Sequence, residues 1–168
     1  SLTGDLVLAG KKLSFTKTVL TKSPARYGLS GFLDFNQAEE PQFTINATVS
    51  EGSAKEILGP FLTEFPLQAV VNGNFTVQGN PAQFLLQSKL VLREGSIYGQ
   101  HFQKGEASLE VTRSRVTFTK VRLWKQQSVM DGSGWISFNK QFAAKITSEK
   151  LHLEDLDLFQ GLTPYIQA

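Results

Sequence analysis

The sequence repeats itself. Leu13-Ser-Phe-Thr-Lys-Thr18 returns 103 residues later as Val116-Thr-Phe-Thr-Lys-Val121. The same offset pairs Leu20 with Leu123, Lys22 with Lys125, Ser30 with Ser133, Gly31 with Gly134, Phe35 with Phe138 and Asn36 with Asn139. With a turn four residues shorter in the second copy, Phe43 pairs with Phe142, and Glu56-Ile57 with Asp155-Leu156. The two copies span 2–65 and 105–166. A shorter hairpin copy fills 66–104, where Gly73-Asn-Phe-Thr-Val77, a turn at Gly79 to Pro81, and Phe84-Leu-Leu86 echo Gly31 to Phe35 and Gly134 to Phe138. A repeated hairpin cannot bury its apolar face alone, so repetition implies stacking into one extended sheet. The chain is expected to be one elongated fragment of a larger array, with neighbouring repeats of the same protein as its first partners.

Apolar and polar residues alternate through most of the chain, the period of a strand with one buried and one wet face. Phe43, Ile45, Ala47 and Val49 show it, as do Phe84, Leu86, Leu90 and Leu92, Leu109 and Val111, Val116 and Phe118, and Phe142, Ala144 and Ile146. Polar clusters at Asn36 to Pro41, Gln78 to Pro81 and Asn139 to Lys140 separate the runs. The pattern predicts ten to twelve antiparallel strands. Ser53 and Glu56 form a capping-box pattern ahead of Ile57, Leu58, Phe61 and Leu62, predicting a short or broken helix that ends near Phe65 and Pro66. A second helix is expected over Glu154 to Tyr165, where Leu156, Phe159 and Leu162 recur before Pro164.

In Leu29-Ser-Gly-Phe-Leu-Asp-Phe35, Phe43 to Val49, Ser53 to Leu62 and Val71-Asn-Gly-Asn-Phe-Thr-Val77, the chain resembles the AsmA-like and TamB-like bacterial envelope proteins. Gly132-Ser-Gly-Trp-Ile-Ser-Phe138 with Leu151-His-Leu-Glu-Asp-Leu156 carries the resemblance a second time. The resemblance implies a mainly β protein: a single long, strongly curved antiparallel sheet open along one side, a β-groove or taco, with one or two short helices. It implies an apolar interior that shelters lipid acyl chains for phospholipid transport between inner and outer membranes. It also implies a periplasmic location, in a protein anchored to the inner membrane by a segment outside this chain. The alternative it offers is a chaperone or assembly module that binds strands of outer-membrane β-barrel proteins at its sheet edges or in its groove.

By parity, the expected groove lining is Leu33, Phe35, Phe43, Ile45, Phe75, Val77, Phe84, Leu86, Leu90, Val111, Phe118, Ile136, Phe138 and Ile146. Something must cover such a face, since soluble monomers rarely expose contiguous apolar patches beyond several hundred Å². A ligand, the helices, or the sheet folded onto itself as a sandwich would each do so. Thirteen Phe against three Tyr and two Trp suit a dry interior better than a carbohydrate surface.

Other chemistries find little footing. A net charge of +2 is too small to drive nucleic-acid binding. The chain has no cysteine, hence no thiolate metal site, and His101 and His152 lack ligand spacing. No carboxylate pair, nucleophile triad or phosphate loop stands in a suggestive context, so neither catalysis nor a cofactor is expected. Arg113, Arg115, Lys120, Arg122 and Lys125 read as the solvated outer face of two strands, with a phosphate-meeting rim as the alternative. Asn46-Ala-Thr48 and Asn74-Phe-Thr76 match a glycosylation pattern but lie inside predicted strands. No apolar run reaches the roughly 18 to 20 residues that span a bilayer, and no signal-peptide pattern opens the chain.

Overall fold

In the computed structural model, which describes residues 1–36, 40–59 and 66–155, the alternating segments become ten strands. These are β1 (Leu2–Ala9), β2 (Lys12–Lys22), β3 (Ala25–Asp34), β4 (Gln42–Ser53), β5 (Leu67–Gly79), β6 (Phe84–Ile97), β7 (Gln100–Val111), β8 (Arg115–Lys125), β9 (Ser128–Ser137) and β10 (Phe142–Lys150). Each pairs antiparallel with its neighbours in chain order, giving one ten-stranded meander that does not close into a barrel. Strands connected by short turns pair locally, so the order follows directly from the turn clusters.

The repeat is written into the hydrogen-bond register. Phe15 faces Gly31 and Thr18 faces Leu29, with one extra residue of β2 bulged between; 103 positions on, Phe118 faces Gly134 and Val121 faces Gly132 across the same bulge. The edge pairing recurs as well, Leu6 opposite Phe15 and Leu109 opposite Phe118. Thus β1 to β4 and β7 to β10 are equivalent, each strand recurring six strands later with β5 and β6 between the two units. The hairpin echo at 73–86 pairs differently. Phe43 faces Leu33 and Phe142 faces Ile136, each two residues beyond the glycine, whereas Phe84 faces Gly79, six beyond Gly73. A tight turn held by Asn80 and Gln83, whose backbones bond at 2.8 and 3.1 Å, sets that register.

Bulges also bend the sheet, because an extra residue on one strand increases its local twist and curvature. Those on β4 and β6 sit at Glu51 and Glu94, both with positive φ. The Asn72 side chain accepts the Glu51 amide at 3.0 Å and Arg93 donates to the Glu51 carboxylate at 2.6 Å, which pins the β4 bulge.

One helix, α1 (Ala54–Leu58), follows β4. The expected capping box does not form. Ser53 is still the last residue of β4, paired with Val70, and its side chain makes no cap bond. Glu56 is drawn instead to Lys22, at 2.6 Å. Residues 60–65, where the helix was expected to continue, lie outside the described residues, as does all of the second expected helix beyond Asp155; a single 3-10 turn spans Leu153–Asp155. Ala54 and Leu58 of α1 are buried against Val49, Leu67, Val71, Leu90, Leu92, Phe102 and Leu109. A second cluster gathers Leu86, Val111 and Val116 with Phe75, Val77, Phe84, Phe118 and Ile136.

Candidate functional site: an apolar trough

Residues directly opposite in an antiparallel pair point to the same face. Followed from strand to strand, the register aligns Leu6, Phe15, Gly31, Ile45, Val77, Leu86, Val111, Val116, Ile136 and Phe142 in one row that takes a residue from each of the ten strands. The row contains no polar side chain. Beside it run Leu29, Ala47, Phe75, Ser88, Leu109, Phe118, Gly134 and Ala144, then Tyr27, Val49, Gly73, Leu90, Ala107, Val121, Gly132 and Ile146.

Of the fourteen residues expected to line a groove, the twelve within strands all lie on this face. Phe35 and Phe138 lie just past the ends of β3 and β9. Their amides donate to the Lys11 and Ser114 carbonyls at 2.8 and 3.0 Å, another contact kept at the repeat offset. Leu6, Phe15, Val71, Leu92, Leu109, Val116 and Phe142 share the face without having been in that set. Each sits at the alternating parity of its own strand with no bulge in between, so simple alternation marks all of them.

Burial falls off along the row. Val111 and Val116 are 1% and 0% exposed, whereas Leu6 and Phe142, on the two edge strands, are 72% and 75% exposed. The centre is covered by the protein's own side chains, Leu86, Val111 and Val116 packing with Phe75, Val77, Phe84, Phe118 and Ile136, and the ends are bare. Along the other direction the two margins differ. At the margin with the β2–β3 and β8–β9 turns, a carboxylate fastens the segment after the fourth strand of each unit: Glu56 takes Lys22 at 2.6 Å and the Tyr27 hydroxyl at 3.4 Å. Its counterpart Asp155 accepts Ser128 Oγ at 2.7 Å and the Ser128 and Gln127 amides at 3.0 and 3.2 Å. The Lys22 ammonium holds the Glu56 carboxyl below the ordinary carboxylate range. The opposite margin carries Phe35, Phe43, Phe84 and Phe138, and the depression beside Phe43 and Phe84 is shared with the outer-face residues Phe32, Thr44, Gln78 and Leu85.

The basic stretch does not form one surface. Arg122 makes a bidentate pair with Asp131 at 2.7 and 2.8 Å on the outer face, and Arg113 reaches the Ala82 carbonyl at 3.3 Å. Lys125 is 5% exposed rather than solvated, because the bulge between Phe118 and Val121 moves it to the inner parity. On the outer face Thr76 donates to Asn46 at 3.0 Å across the strand pair, so two residues of the glycosylation-like triplets bond each other. Among the described residues no group of three His, Asp or Glu side chains is placed to hold a metal, and no helix is long and apolar enough to cross a membrane.

Ser88 is a polar residue buried on the inner face. The Ser88 hydroxyl, between Phe75 and Leu109 in the register, is buried without a hydrogen-bond partner. An unsatisfied buried hydroxyl is costly, so Ser88→Ala is expected to leave stability unchanged or raise it by up to about 1 kcal/mol in urea unfolding. A loss of stability would show that the hydroxyl is bonded.

Compared with protein-family models, curated proteins and solved structures, the chain matches none of them.

Proposed function

We propose that this chain is a length of apolar trough that shelters phospholipid acyl chains, in an envelope protein of the kind it resembles, for transport across the periplasm between inner and outer membranes. One observation carries the reading: an uninterrupted apolar row crosses all ten strands and is bare at both ends, where Leu6 and Phe142 are 72% and 75% exposed. A closed core would bury its ends. An acyl chain seated on either bare end of the row, beyond the centre that the protein's own side chains already bury, gains about 0.8 kcal/mol per methylene removed from water, with no polar recognition required. The trough is therefore a binder of chain length rather than of head group.

The test is uptake of a fluorescent phospholipid from vesicles, with native mass spectrometry of the protein afterwards. The double variant Phe35→Asp, Phe138→Asp places charge at the open margin, on two side chains that are 43% and 46% exposed and beyond their strands. It is expected to fold normally and to lose most of the lipid that the parent chain retains. Equal retention by the two proteins would remove the trough reading.

A further inference from the structure

We propose that the free edge of β1 is a strand-addition site, built for an extended antiparallel segment with the side-chain pattern of β6. The equivalence of β1 and β7 carries the argument. Leu8 faces Leu13 and Leu6 faces Phe15, as Val111 faces Val116 and Leu109 faces Phe118, at the same offset. The other edge of β7 is occupied by β6, with Leu86 opposite Val111 and Ser88 opposite Leu109. Carried back to β1, the same geometry sets a β6-like strand with an apolar residue opposite Leu8 and a small one opposite Leu6.

Burial shows what is missing from the edge. Leu109 and Val111 are 2% and 1% exposed beneath their neighbours, while Leu6 and Leu8 are 72% and 71% exposed. Val7 on the other face is also exposed. Proteins ordinarily guard an exposed edge with lysines, proline, inward-pointing charges or brevity. Over its eight residues β1 has neither lysine nor proline, and Asp5 is its one charge. The opposite edge, β10, carries Lys145, Glu149 and Lys150. Both edge strands have covered counterparts, β7 by β6 and β4 by β5, and it is β1 that lacks the charges guarding an edge, which fits main-chain pairing with alternate side chains giving selectivity.

Cysteine trapping tests this cleanly, because the chain has no cysteine of its own. The Leu6→Cys chain is incubated with a synthetic peptide of residues 84–97 bearing Ser88→Cys, under mild oxidation. Directly opposed positions satisfy disulfide geometry and a one-residue slip does not, so cross-linking is expected about tenfold faster than with the peptide bearing Gln87→Cys. Leu8→Cys with the Leu86→Cys peptide gives a second register check should either variant fold poorly. N-methylating alternate residues on the β1-facing edge of the peptide should abolish the reaction. Equal rates at the slipped register, no cross-linking in either pair, or a head-to-tail dimer of the chain that excludes the peptide would overturn the proposal. None of these outcomes depends on what fills the trough.

Discussion

Gly31→Ala is expected to destabilise the protein by about 3 to 5 kcal/mol, the range of a forced backbone displacement rather than of an ordinary surface change. Gly31 has φ +150°, and a Cβ there would run into the carbonyl oxygen of Thr44 and the Cα of Ile45 in the adjacent strand. Neither obstacle is a flexible side chain, so relief requires β3 and β4 to separate. Gly134, its counterpart at the repeat offset, meets the Ala143 carbonyl and Ala144 Cα in the same way. The control is Gly10→Ala. Gly10 has φ +59° with nothing within 4 Å, leaving only the left-handed penalty of about 1 to 2 kcal/mol. Urea unfolding of both variants checks the contrast, and equal losses would show that the close approach of the strands does not set the residue.

The second large effect is expected at Asp155→Ala, which should cost about 3 kcal/mol or more, while Glu56→Ala at the equivalent place should cost under about 1 kcal/mol. The two carboxylates do the same architectural task in different surroundings. Asp155 is 2% exposed and satisfies the Ser128 hydroxyl and the Ser128 and Gln127 amides, so its removal strands buried donors. Glu56 holds Lys22 at the surface, where water replaces whatever is lost. Thermal unfolding of the two single variants separates them, and a Glu56 effect as large as that of Asp155 would contradict the assignment.

Much of this architecture was legible in the amino-acid order. Alternation located the strands, and the 103-residue offset carried real register, down to the bulge that interrupts Phe15 to Thr18 and Phe118 to Val121. What escaped was set by partners distant in sequence or by single-residue slips. The box at Ser53 and Glu56 satisfied a local rule, but Lys22 lies 34 residues away and takes the glutamate. The hairpin echo at Gly73 matched in residue classes, yet the turn at Asn80 to Gln83 fixed a register that composition does not encode. Lys125 was grouped with its solvated neighbours because alternation alone does not show a bulge. The signal was nonetheless present: the inner parity passes from even positions, Val116 and Phe118, to odd ones, Val121 and Leu123.

The unbroken row from Leu6 to Phe142 bears on motion as much as on binding. Adjacent strands stand about 4.8 Å apart, so ten of them lay down a path of roughly 43 Å. Along it no hydroxyl, amide or charge offers a stopping point, and Ser88 sits one row aside. A guest of the kind proposed, held only by dispersion and water exclusion, would meet no polar anchor on the bare strands at either end, while at the centre Val111 and Val116 are already covered. On the proposed reading, the barriers to sliding along the exposed strands would be small compared with the energy of leaving, so that the row would act as a rail that retains a guest while leaving it free to travel.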